Sequence, residues 1–195
     1  MNGMRNATCV LGVLLATACA SGPRWVPADA PFTPASGRYT VQLPRGWMQL
    51  ERGDALISSR DGVFLQRIDV FLGQTGKPLG PTKKAIAKGM LPQEVAEVVQ
   101  DATASAPGMQ AMTVLENTPA ALDGRPGFKL VVGYKDRDGL KMRAVVYGAL
   151  SGESLYQLTY RAPVRYYFER DLQTFEQVRS TFRIAADAPR PSKVD

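Results

Sequence analysis

The chain contains no histidine at all. That removes at once the commonest general base, the commonest metal ligand and the side chain that switches charge near neutral pH. The hydroxyls that remain are poorly served. Ser58-Ser59 and Ser151-Gly152-Glu153-Ser154 lack a histidine to activate them, and no Ser-x-x-Lys stands at a helix start to supply a lysine instead. Asp136-x-Asp138-Gly139 begins as some calcium loops begin. Lys141 and Arg143 follow, where such a loop needs further oxygen ligands and a closing glutamate. A β-turn with Asp and Gly at their usual places accounts for it better. Glu51, Asp54, Asp69, Glu116 and Asp123 are acids that could pair across a cleft for glycoside cleavage, but nothing in their spacing brings two together. No Gly-rich phosphate loop is present. We therefore expect no catalytic residue, no metal and no cofactor; a cryptic enzyme is the third of the functional readings.

The chemistry that the spacing does support belongs to a thiol. Leu14-Leu15-Ala16-Thr17-Ala18-Cys19 closes a short apolar run that follows a single early cation, Arg5. The run is far shorter than the roughly 20 residues that span a bilayer, and a basic start, an apolar middle and small residues before a cut mark an export signal. The order resembles the lipobox of bacterial lipoprotein signal peptides. The resemblance implies that residues 1–18 are removed and that Cys19 carries lipid, which holds the chain on a membrane with no transmembrane helix. Cys9, preceded by Thr8 and lying before the apolar run, goes with the leader. Ala20 rather than Asp after the cysteine implies the outer membrane, facing the periplasm.

With the leader gone, Cys19 is the only cysteine, so no internal disulfide forms and the domain is held by its core alone. The chain has 195 residues, and what remains suffices for one domain. Its formal net charge of +6 comes from dispersed cations, with no basic arm for nucleic acid. A mild excess of this kind favours anionic lipid, lipopolysaccharide or cell-wall polymer.

Residues 19–37 are rich in Pro and small side chains and read as a tether, with Trp25 and Phe32 expected to tuck against the domain or the lipid interface. From Arg38 the period changes. Tyr39, Val41 and Leu43 alternate with polar neighbours, which predicts a strand. Pro44-Arg45-Gly46 ends it, and Trp47 is expected in the core. Ala55–Ser59 and Phe64–Leu72 read as further strands. Thr82 is placed to cap a short helix over 83–88, and Pro92 to open a second with Val95, Val98, Val99 and Ala102 on one face. Strands are predicted at 112–116, 120–122, 127–135, 140–150 and 155–161, joined in part by tight turns. A last helix, about 165–180, presents Phe168, Leu172, Phe175 and Val178. Residues 185–195 read as a polar tail.

Three motifs, in this order, resemble the PsbP-like superfamily, which includes a photosystem accessory protein, a nuclear Ran-release factor and many bacterial exported lipoproteins. They are a strand ending in Pro44-Arg45-Gly46-Trp47, the segment Leu122-Asp123-Gly124, and a strand with Ala162-Pro163 before a helix that closes on Ser180-Thr181-Phe182. The inserted Thr181 departs from the family's closing pair. The resemblance covers residues 38–184. It implies an α+β fold, a three-layer α/β/α sandwich around a mostly antiparallel sheet, and a non-enzymatic role in binding or assembling a protein partner of the cell envelope. The alternative reading is a binder of an anionic envelope component. The cluster Arg161, Arg165, Tyr167 and Arg170, with Tyr160 and Tyr166, is the expected partner surface, since Tyr and Arg are enriched at interfaces.

Overall fold

Tight turns fix the second half of the chain as an antiparallel meander. The computed structural model describes residues 24–185. Its strands are β1 (Val26–Pro27), β2 (Tyr39–Thr40), β3 (Met48–Arg52), β4 (Ala55–Ser59), β5 (Arg67–Gln74), β6 (Gln110–Leu122), β7 (Arg125–Lys135), β8 (Lys141–Ser151), β9 (Ser154–Pro163) and β10 (Arg183–Ile184). Its helices are α1 (Pro92–Ala104) and α2 (Glu169–Thr181). Asp123 and Gly124, at φ 53° and 68°, make the two-residue turn from β6 to β7, a conformation that Asp-Gly adopts readily. At the next turn the Asp136 carboxylate accepts the N–H groups of Asp138 (3.0 Å) and Leu140 (2.9 Å). Its oxygen is thus committed to the backbone turn.

Eight strands form one sheet in the order β1-β3-β4-β5-β9-β8-β7-β6, and every pair is antiparallel. Side chains alternate between its faces, and each face carries its own core. On one, Tyr147, Tyr156, Leu158 and Tyr160 lie with Trp47, Tyr39 and Phe182 against the α2 residues Phe175 and Val178. On the other, Phe128, Leu130, Val132 and Val146 meet Val95, Ala96, Val98 and Val99 of α1. This is the expected α+β architecture, with Trp47 in the core. Pro92 opens α1 and the Glu94 carboxylate accepts the Leu91 N–H at 2.7 Å, which satisfies one of the free donors at the helix start.

Several expectations are corrected. The alternation at residues 38–43 is real, with Tyr39, Val41 and Leu43 buried. Yet β2 pairs with β10 in a separate two-stranded sheet, while the unexpected β3 takes the place beside β4. The tether is packed from Val26 onward. Val26 pairs with Gln49, Phe32 bridges to Val41, and Ala28 and Phe32 are buried. No helix forms at 83–88, because a segment bounded by Gly80-Pro81 and Gly89 is too short to repay nucleation. Thr82 closes a turn instead, donating to the Leu79 carbonyl at 3.0 Å.

The strands expected at 112–116 and 120–122 are one edge strand, β6, with register shifts near Val114. Pro119 is accommodated there because an edge strand can leave one side unpaired. Phe64 stands outside β5 at a turn held by the Leu65 and Gln66 N–H groups on the Gly62 carbonyl. The final helix starts at Glu169, after a π-type turn at Val164–Phe168 where Tyr166 has φ 72°. Residues 1–18, with Cys9, then Cys19 and the tail from 186 on lie outside the described residues.

Candidate functional site

Helix α1 packs mainly on β6, β7 and β8. The same face of β5 and β9 is left without a helix above it. Strand register places Arg67, Asp69 and Phe71 of β5 opposite Arg161, Thr159 and Gln157 of β9. The neighbouring Ala144 and Val146 of β8 belong to the α1 core. The result is a groove of about 340 Å³ with this floor, walled by Ala102, Thr103 and Ala106 on one side and Leu79–Pro81 on another. It runs on past Met109 and Tyr134 into a second depression of about 380 Å³ that reaches Phe64 and the Asp136 turn.

The floor has an unusual polar centre. Asp69, only 9% exposed, uses Oδ2 to accept from Arg67 Nε at 2.9 Å and to pair with the Arg161 guanidinium, Nη2 at 3.0 Å. Its Oδ1 has no partner among the described residues, and neither has the buried Nε of Arg161. A buried acceptor and a buried donor left unpaired are costly. Both atoms are closed to solvent, while the residues that carry them line the groove. Burial in the wall pushes the Tyr134 hydroxyl pKa up, although Arg161 and Arg67 pull it down.

The expected partner surface divides. Arg161 faces the groove. Tyr160, one residue earlier on β9, points to the opposite face, where it is buried and donates to the Tyr167 carbonyl at 2.8 Å. Arg165 is exposed and Tyr167 half-buried, both in the π-type turn before α2. Arg170 covers the rings of Tyr166 and Tyr167 at 5.0 and 4.8 Å and is engaged by Asp171 and Asp61. It acts as a clamp.

That clamp centres on Asp171, which is buried. Its carboxylate accepts from Arg60 (3.0 Å), Arg170 (2.6 Å) and Gln66 (3.2 Å). It thereby pins the 60–66 loop to α2. Asp171→Ala is expected to cost about 1.5–3 kcal/mol, the range for hydrogen bonds to a charged group, and a urea titration measures it. The hydrogen bond from Arg170 holds the exposed Asp61 carboxyl below its ordinary value. Its contribution is therefore present above the unfolded-state pKa and fades as pH falls through the lowered folded value.

Other candidates from the sequence have structural roles. Ser58 Oγ donates to the Met48 carbonyl (2.9 Å) and Ser59 Oγ to the Gln66 carbonyl (2.8 Å). Among the described residues no three His, Cys, Asp or Glu side chains gather as a metal site, and no helix is long and apolar enough to cross a membrane. The groove itself was missed in the sequence, though a signal existed. Arg67-Ile68-Asp69-Val70 and Gln157-Leu158-Thr159-Tyr160-Arg161 alternate polar with apolar in the middle of a sheet, the mark of one uncovered face.

No protein-family model matches this chain, and neither does any curated protein. Solved structures do. CyanoP, the PsbP of Synechocystis sp. PCC 6803, shares 14% identity, with 88% of this chain and 99% of that one covered at a TM-score of 0.54. The fold is PsbP-like. LpqN of Mycobacterium tuberculosis, a protein involved in cell envelope biogenesis, shares 15% identity over 84% of this chain and 92% of its own, with a TM-score of 0.51. A Bacteroides thetaiotaomicron protein shares 11% over 84% of this chain with a TM-score of 0.53, but the match spans about half (51%) of that longer protein. At these identities the likeness concerns the PsbP-like fold alone.

Proposed function

We propose that this chain is a non-enzymatic lipoprotein of the cell envelope, anchored through lipid on Cys19 to the periplasmic side of the outer membrane, and that it binds a protein partner in the groove beside α1. The observation that carries the binding role is the groove itself, about 340 Å³, with the charged side chains Arg67, Asp69 and Arg161 on its floor and Phe71 and Leu79 beside them. A protein segment offers donors and acceptors to that charged floor together with apolar side chains for its walls. Apolar side chains of that segment would meet Phe71, Leu79 and Val146. The two arginines of the floor are already paired with Asp69, so a simple anion meets a carboxylate beside them, which disfavours the reading as a binder of anionic polymer or lipid. Serines committed to backbone carbonyls, and a chain without histidine, support binding over catalysis. An envelope role for a PsbP-like protein has a parallel in LpqN.

The test is site-specific photocrosslinking in intact envelopes. A crosslinking residue at Phe71, in the groove, is expected to yield a discrete protein adduct, while one at Gln173 on the outer side of α2 is not. Arg161→Ala in the Phe71 background should cut that adduct about tenfold, the effect of losing one charged hydrogen bond. Equal adducts from both positions, or indifference to Arg161→Ala, would place the interface elsewhere.

A further inference from the structure

We propose that Trp25, Met48 and Phe64 form a lipid-contact surface, which seats one end of the domain on the bilayer; this rests on the anchoring of Cys19. Phe64 is 88% exposed, and Trp25 and Met48 are each 37% exposed. The three border one shallow depression of about 370 Å³, with Val63 and Arg60 on its rim. Contiguous exposed apolar side chains of this size mark a contact surface.

The exposure of Phe64 is built in. Its turn is held at both ends, by Ser59 and Gln66 on one another and by Asp171 on Gln66 and Arg60. The other side of the patch is equally fixed, because Val26 pairs with Gln49 and the Ala28 N–H donates to the Trp47 carbonyl at 2.9 Å.

The position of the anchor identifies the occupant. Only six residue steps separate Cys19 from Trp25, a span of at most about 22 Å at 3.3–3.6 Å per residue. Strand β1 fixes where the chain leaves the domain, so a lipid at Cys19 keeps the Trp25 end within that distance of the membrane. Tryptophan with a basic side chain on the same rim, here Arg60, suits the headgroup zone, where amphipathic rings and basic side chains concentrate. Phe64 also lines the far end of the groove. The groove thus opens beside the bilayer, and its partner is met there.

The chain has two tryptophans, and Trp47 is only 2% exposed, so lipid-borne quenchers read Trp25 alone. The chain from Cys19 onward retains both cores and every strand described. Its single thiol is coupled to maleimide-headgroup lipid in phosphatidylethanolamine–phosphatidylglycerol vesicles, some with brominated acyl chains. This anchor is chemical, so the result does not depend on whether cells lipidate Cys19; metabolic labelling with an alkyne fatty acid answers that separately.

Bromolipid is expected to quench a blue-shifted component, which Trp25→Phe removes. Phe64→Ser should reduce quenching several-fold with melting unchanged, since Phe64 is exposed. Trp25 emission that bromolipid leaves untouched, and that iodide quenches equally on vesicles and in solution, would overturn the proposal.

Discussion

Phe175→Ala is expected to lower the free energy of unfolding by about 3–5 kcal/mol, the usual cost of truncating a fully buried phenylalanine. The ring has no exposed surface and lies between Tyr147, at 6.0 Å between centroids, and Tyr160, at 5.5 Å. Tyr160 in turn stacks on Phe168 at 5.5 Å, and its hydroxyl is tied to the Tyr167 and Phe168 carbonyls. Burial pushes the Tyr160 hydroxyl pKa well above its ordinary value, with the nearby Asp171 adding to the shift. A hole left by Phe175 is therefore bounded by a paired sheet below and tethered rings beside it. Neither collapses easily, so the cavity persists and the upper part of the range applies. Gln173→Ala, exposed on the same helix, should fall within about 0.5 kcal/mol of wild type. Urea titrations of the two variants decide the matter. Equal losses would mean that α2 presents another face to the sheet.

That face was legible because helical spacing is a property of side chains alone. Phe168, Phe175 and Val178 are buried as their spacing predicts, and Leu172 is partly covered. The same holds for Val95, Val98 and Val99 on α1, and for the strands of the β6–β9 meander, whose turns declare themselves through Gly and Asp. What could not be read was pairing. Tyr39–Thr40 shows strand alternation as clear as any, yet whether it joins the main sheet or pairs with Arg183–Ile184 is decided by chain beyond its own neighbourhood. Phe64 failed for a related reason. An apolar residue beside a strand reads as part of it, whereas Gly62, at φ 114°, starts a turn that carries the ring into solvent.

The groove beside α1 shows how far local pattern reaches. In the sequence Arg161 stands out by its company with Tyr160, Arg165 and Arg170. Alternation along β9 separates it from Tyr160 by the thickness of the sheet. Its true neighbours, Arg67 and Asp69, come from a strand more than 90 positions earlier. No rule of spacing connects them. The arrangement follows from β5 pairing with β9 rather than with β6, so the sheet order must be known before the site exists.

Cys19→Ser is expected to abolish membrane anchoring outright and to leave an unprocessed or soluble chain, while Cys9→Ser leaves anchoring intact. Neither cysteine lies among the described residues, so the argument is energetic. Each buried methylene contributes about 0.8 kcal/mol; a single acyl chain binds only marginally, and two or more hold a protein durably. The patch of Trp25, Met48 and Phe64 is small by that measure. In the proposed arrangement it orients a domain held by lipid, and is too small to replace that lipid. Loss of Cys19 should therefore be total in membrane fractionation, whereas Trp25→Ala should leave the protein anchored but free to tilt. Labelling with an alkyne fatty acid gives the decisive reading: wild type and Cys9→Ser take up label, and Cys19→Ser does not. Equal label on Cys19→Ser and wild type would end the lipoprotein reading, and the seating of the groove at the bilayer would then need another anchor.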